Sequence, residues 1–466
     1  MIRRASVVAL GVCLLLGAVF AQTPKKTGRQ PSVKKSAKKA STRKAGSRRA
    51  VTRAPAVTAK QRTSAAEAVA QWLDVPNSIE NAAALVPFLE QLYRLEKGMD
   101  GEPLRILHYG DSHTASDDWP GTIRYLFQTK FGDGGAGFSH AGRPWNSYRR
   151  YDVSSWGSRN WYTDGLFRRE GDGLYGMSAV SVTATRPGEW VTLDANCSAA
   201  QLLYLERPGG GAFELSVDHG EPQRIETDGE QQPAYLKVAV EPGPHRFEVR
   251  TLDKRPVRLF GWVTENPRGV TYETLGINGA QANMLLNVEE PLFLEQLGRR
   301  NPALIILAYG TNEAGAKDWT LDSYREMFVQ LLDRLRRGAP AASILVVGPP
   351  DRYVRTRAGW VPMDRVDMII QAQREAAAQA RCAFFDLRER MGGKGAMKQW
   401  VWAGMAQHDY VHFTGQGYRL LGAALYKELT GQFAVYSKIR NDLDTKPKGV
   451  AAGDDEQART NSQLNP

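Results

Sequence analysis

Cysteine and histidine are scarce in this chain, with 3 Cys and 7 His among 466 residues. No Cys/His spacing matches a zinc site and HExxH is absent, so a metal-hydrolase signature is missing. Acidic residues are missing from the first 62 positions, which hold 16 Lys/Arg. The remainder carries 45 basic against 50 acidic residues, so the formal charge of +11 belongs to a tail and the folded part is mildly acidic. Long hydrophobic runs are also lacking. The one extended run, Ala5–Phe20, follows Arg3 and Arg4 and is too short for a confident membrane span. Val19 and Ala21 suit the small-residue positions of a cleavage site, which predicts a cleaved export signal over 1–21, with an uncleaved anchor as the alternative. Cys13 lies inside the run, which argues against a lipoprotein signal. Cys197 and Cys382 then remain, in segments of different character. Cys382, in Cys382-Ala-Phe-Phe385, reads as a buried small hydrophobe.

The stretch 22–62, rich in Lys, Arg, Ala, Ser and Thr, buries too little apolar surface to offset its ordering entropy and is expected to be a disordered linker. Its charge suits contact with anionic cell-envelope polymers or a plain solvated spacer. The export signal argues against nucleic acid as a partner. Residues 63–99 show helical periodicity, for example Leu85, Phe88, Leu89 and Leu92. From Leu104 short apolar runs (Leu104–Tyr109, Ala303–Tyr309, Ser343–Gly348, Cys382–Leu387) alternate with amphipathic segments such as Asp118–Phe131, Ser323–Arg337 and Met363–Ala380. That alternation predicts a three-layer α/β/α sandwich on a parallel sheet, in two parts, 100–150 and 265–440. Between them, 151–264 carries short alternating segments separated by turn residues, among them Glu241-Pro-Gly-Pro244, and predicts an inserted all-β sandwich. Residues 441–466 are polar and without period, and are expected to form a disordered tail.

Four short blocks carry chemistry. Gly110-Asp-Ser112-His ends the first apolar run, where a strand-to-helix turn exposes a serine hydroxyl at the edge where open α/β sheets bind ligands. Gly310-Thr-Asn312-Glu ends the strongest apolar run. A neighbouring parallel strand would bring the Asn312 amide near Ser112, as a donor to an oxyanion. Asp409-Tyr-Val-His412 spaces a carboxylate and an imidazole so that Asp409 can hold Nδ1–H and leave Nε2 as a base. His408 competes for that role without an equivalent carboxylate. In Gly276-Ile-Asn-Gly279, a glycine lets a backbone N–H approach the oxyanion, and Gly279 is preferred to Gly276. Each block alone also fits an ordinary cap or turn.

In chain order the four resemble the Ser, Gly, Asn and His blocks of SGNH (GDSL-like) hydrolases, a resemblance covering about 100–142 and 265–435. Where Leu commonly follows the serine, this chain has His113. Together with Phe131-Gly-Asp-Gly-Gly-Ala-Gly-Phe138 and a large β insertion, this is similar to bacterial peptidoglycan O-acetylesterases, in which the insertion resembles a carbohydrate-binding module. The resemblance implies a flavodoxin-like fold and a serine esterase that removes O-acetyl groups from a cell-wall glycan through an acetyl-serine. Ser112, Asp409 and His412 would be catalytic. Ser112, Gly279 and Asn312 would form the oxyanion hole, without metal or organic cofactor. Three alternatives stay open: a glycan O-acetyltransferase with the same triad, an acetyl-xylan-type esterase, and a wall-binding structural protein. Trp145, Trp156 and Trp161, near the start of the insertion, are candidates for glycan stacking or for core packing. The protein is expected to be exported, periplasmic or secreted.

Overall fold

The computed structural model describes residues 57–75, 79–165 and 171–445. The expected signal at 1–21, most of the basic linker, and 446–466 of the expected C-terminal tail lie outside the described residues. The two predicted tails are shorter than expected where they can be compared. A helix begins at Ala59, inside the expected linker, because Thr58 and Gln61 form a reciprocal capping box. The last helix, Gly415–Thr445, continues past residue 440.

Five parallel strands form the central sheet: β1 (Leu104–Gly110), β2 (Val270–Gly276), β3 (Leu304–Ala308), β4 (Ser343–Val347) and β5 (Ala383–Phe385). Their order is β2-β1-β3-β4-β5. Alternate side chains divide between the two faces, as the two-residue strand period requires. Leu107, Tyr109, Leu275, Ile305, Leu307 and Val346 pack with the helices Glu290–Arg300, Leu321–Gly338 and Arg365–Gln379. Ile106, Tyr272, Leu304, Ile306, Leu345 and Val347 pack with Val86–Glu96, Asp118–Phe131 and Gly415–Thr445. Burial on both faces explains why these strands read as unbroken apolar runs, and the result is the three-layer sandwich. Because the chain passes from β1 to β2 on one side and then crosses to β3 on the other, a crevice opens between β1 and β3 at their C-terminal ends.

The β insertion is one nine-stranded antiparallel sheet rather than two separate ones. Two strands are long, Trp190–Glu206 and Gln232–Thr251, and pair with each other along most of their length. The register slips between Cys197 and Ala199, where the predicted turn Glu241-Pro-Gly-Pro244 is instead a bend within a continuous strand. Prolines donate no ladder hydrogen bond, and a bulge tolerates them. The sheet folds over there and encloses its own core, with Leu193, Phe213, Phe247 and Val249 meeting Leu202, Leu259 and Trp262. The insertion also starts earlier than residue 151, because Gly137–Ser139 already pairs with Trp262–Thr264. Cys197 and Cys382 are both buried and unpaired. Among the described residues no helix is long and apolar enough to cross a membrane.

A buried charge cluster latches the end of the insertion to the sheet. Glu265 accepts from Arg105 Nε at 2.8 Å and pairs with Arg300 Nη2 at 2.7 Å. Burial works to raise the Glu265 carboxyl, but Arg300 and Arg105 outweigh it and hold it down at about 2. A carboxylate depressed in the folded state contributes its full stability above its unfolded value near 4.3 and loses it as pH falls through the folded value. Glu265→Gln is therefore expected to lower stability by on the order of 3 kcal/mol at pH 7. The gap between wild type and variant should close between about pH 5 and about pH 2 in denaturant titrations.

Candidate active site

Ser112 is placed by the tight exit of β1. Asp111 is extended (φ −91°), and its side chain accepts from His113 N at 2.9 Å, capping the four-residue helix Ser112–Ala115. Glycine is required at Gly110, where a Cβ would overlap the Thr114 side chain and lie 2.8 Å from the Ala308 carbonyl. Gly276, its partner on β2, is crowded in the same way by the backbone of Thr114 and Ala115. Gly276 thus serves close packing of the serine turn, while Gly279 takes the left-handed conformation (φ +74°).

The Asp409–His412 block arrives from the far end of the chain. Ser112 Oγ lies 2.9 Å from His412 Nε2, and His412 Nδ1 lies 2.8 Å from Asp409 Oδ2. The other carboxylate oxygen accepts from Val411 N at 2.9 Å and His412 N at 3.0 Å. Burial opposes ionisation of Asp409, but the hydrogen bonds from His412 prevail and hold its carboxyl below the usual range. Between them Tyr410 adopts φ +58°, a strained value for a bulky residue. An aromatic clamp supports it: its ring packs 5.3 Å from Tyr353 and 5.0 Å from Trp360, and Tyr353 N donates to its carbonyl at 3.0 Å. The clamp belongs to a hairpin, Tyr353–Thr356 with Gly359–Pro362, that the apolar pattern does not announce. His408 is exposed, and among the described residues no hydrogen bond joins it to Ser112.

His113 is buried beneath the triad, with its ring 5.3 Å from that of His412 and its Nδ1 2.9 Å from the Tyr418 hydroxyl. Burial pushes its pKa down to about 3, so it is a neutral packing partner. Asn312 follows β3 at the head of a short helix, and its Nδ2 donates to the Ala280 carbonyl at 2.8 Å, one residue beyond Gly279. The two loops are joined by Glu313, a fully buried carboxyl. Glu313 accepts from Gly310 N at 3.0 Å, Ala282 N at 2.9 Å and the Tyr324 hydroxyl at 3.3 Å. Burial raises its pKa to about 7. The only trace of this tie in the sequence is the place of Glu313 three residues after Gly310, the spacing of a capping box.

Ser112 and His412 open into a cleft of about 510 Å³. One wall is the segment 143–149, to which sequence reasoning assigned no function beyond Trp145. Asn278 fastens that wall to the Gly279 loop, accepting from Trp145 Nε1 at 3.0 Å and Ser147 Oγ at 2.8 Å. Arg149 donates to the Ser116 carbonyl at 2.6 Å and to Asp118 at 2.8 Å. Asp117, buried and paired with Arg124 at 2.8 Å, accepts from Tyr151 N at 2.7 Å. The three tryptophans divide. Trp161 packs into the insertion core and donates to the Trp190 carbonyl, Trp145 is partly buried beside the cleft, and Trp156 is half exposed.

A serine–imidazole–carboxylate relay at the switch point of a flavodoxin-like parallel sheet is the arrangement of an ester-hydrolysing enzyme. The model of the GDSL-like Lipase/Acylhydrolase family matches residues 244–420. That span holds Gly279, Asn312, Asp409 and His412, while Ser112 lies before the β insertion and outside it. Among solved structures, one described as "Peptidoglycan O-acetylesterase in action, 5 min" is 27% identical, with 75% of this chain and 96% of that chain covered and a TM-score of 0.65. A family two carbohydrate esterase from Cellvibrio japonicus is 12% identical, with 60% of this chain and 98% of that chain covered and a TM-score of 0.27. No curated protein sequence matches this chain. The chain is thus similar to SGNH (GDSL-like) hydrolases and resembles peptidoglycan O-acetylesterases.

Proposed function

We propose that the protein is an O-acetylesterase of a cell-wall glycan, with peptidoglycan as its substrate. The observation that carries this reading is the unbroken relay from Asp409 through His412 to Ser112, opening into a cleft whose wall leads into the β insertion. Likeness to a solved peptidoglycan O-acetylesterase over most of both chains supports the choice of polymer. In this mechanism His412 Nε2 takes the Ser112 proton as Oγ attacks the acetyl carbonyl, then returns it to the leaving sugar oxygen. Asp409 holds Nδ1–H and stabilises the imidazolium. The Ser112 and Gly279 N–H groups and the Asn312 amide stabilise the oxyanion. Water, activated by His412, then frees acetate and restores the serine hydroxyl.

Water access favours hydrolysis over transfer to a second sugar, because the His412 and Asp409 side chains remain 36% and 45% exposed. The export signal expected at 1–21 would deliver the enzyme to the envelope, where the basic stretch after it suits anionic polymers. The deciding experiment measures acetate released by the purified enzyme from O-acetylated peptidoglycan and from acetyl-xylan. Faster release from peptidoglycan is expected. Equal or faster release from xylan would overturn the choice of polymer.

A further inference from the structure

The cleft wall holds a cation that the proposed chemistry does not use. Arg143 lines the Ser112 cleft and, with Tyr148 and Arg149, a second cleft of about 190 Å³ that continues from it past Val153–Trp156. Three arginines meet there and have different fates. Arg150 is buried and is held by Asp152 and by the carbonyls of Phe138 and Ala136. Arg149 is paired with Asp118. Arg143 is exposed and, among the described residues, has no carboxylate within ion-pair distance.

Arg143 is nevertheless held in place. Its Nη2 donates to the carbonyls of Asn146 at 3.1 Å and Tyr148 at 3.3 Å, and the guanidinium sits 4.9 Å from the centre of the Trp156 ring. Among the described residues its Nε and Nη1 have no hydrogen-bond partner. Trp156 is 51% exposed, and its Nε1 donates to Ser154 Oγ at 3.0 Å, which fixes the ring. A fixed aromatic face suits a sugar ring. A guanidinium with a free Nε–H and Nη1–H suits a carboxylate, which it can meet with a charge-assisted hydrogen bond.

We propose that Arg143 and Trp156 form a subsite for a carboxylate-bearing sugar neighbouring the acetylated one, so that the enzyme selects anionic glycan chains. The sugar ring lies on Trp156. Its carboxylate, carried directly or on a lactyl or peptide substituent, meets Arg143. This rests on the O-acetylesterase reading and deepens it, because it explains how one acetylated polymer is distinguished from another with the same ester.

The test uses soluble fragments of O-acetylated peptidoglycan, either with free carboxylates or with the carboxylates converted to methylamides, and measures acetate release at low salt. The wild type is expected to favour the free-carboxylate fragments by about tenfold in kcat/KM, chiefly through KM. Added salt should shrink that preference. Arg143→Gln is expected to abolish the preference and Arg143→Lys to restore part of it. Trp156→Ala should raise KM for both fragment sets. A wild type without preference, or an Arg143→Gln enzyme that keeps it, overturns the carboxylate subsite. An unchanged KM in Trp156→Ala overturns the stacking half. A wild type that releases acetate from neither set overturns the O-acetylesterase reading itself.

Discussion

Ser112→Ala is expected to leave a folded protein with kcat for acetyl esters reduced on the order of 10⁵- to 10⁶-fold. The size follows from the position of the hydroxyl. Its oxygen is the atom placed 2.9 Å from His412 Nε2, and no neighbouring group can replace it: Asp111 is turned to cap the helix, and His113 is buried against Tyr418. Loss of the methylene-bound oxygen removes little packing, since Ser112 lies at the open edge of the sheet, so an unchanged melting temperature should accompany the loss. Hydrolysis of 4-nitrophenyl acetate by a folded Ser112→Ala protein at the wild-type rate would remove Ser112 from the mechanism.

Asp409→Asn is expected to cost about 10⁴-fold in kcat while leaving the loop folded. Asp409 Oδ1 accepts from two backbone N–H groups, and an asparagine keeps those bonds only by pointing its oxygen at them. Its NH₂ then faces His412 Nδ1, which must become the acceptor. The ring proton moves to Nε2, the atom that should receive the Ser112 proton. The fault lies in the tautomer rather than in the charge alone, so raising the pH should not recover the activity. Recovery at high pH would point to a purely electrostatic role for Asp409.

Much of the α/β domain was legible locally. The apolar runs beginning at Leu104, Ala303, Ser343 and Cys382 each contain a buried strand, and the periodic segment Asp118–Phe131 is a helix with those ends. The insertion was less legible. Glu241-Pro-Gly-Pro244 carries the residues of a turn, yet it lies within a strand because that strand bulges there, with Val240, Glu241 and Pro242 set against Ser198 alone on its partner. The cleft wall was not legible at all. Asn278 meets Trp145 across 133 residues, and Tyr151 meets Asp117 through a backbone N–H that has no sequence signature. The Tyr353–Trp360 clamp on Tyr410 is of the same kind, since an aromatic residue reads alike whether it fills a core or supports a strained loop.

The sequence by itself determined the layered α/β architecture, the presence of a β insertion, and the four blocks bearing Ser112, Gly279, Asn312 and the Asp409–His412 pair. Each depends on period, glycine placement or short spacing, which act within a few residues. Only the tertiary structure decided that Ser112 Oγ and His412 Nε2 meet across 300 residues, that Glu313 ties the Gly279 and Asn312 loops together, and that Arg143 is left unpaired in the cleft wall. Those distances depend on how the whole set of layers packs, and no local pattern encodes a position that is the sum of many remote contacts.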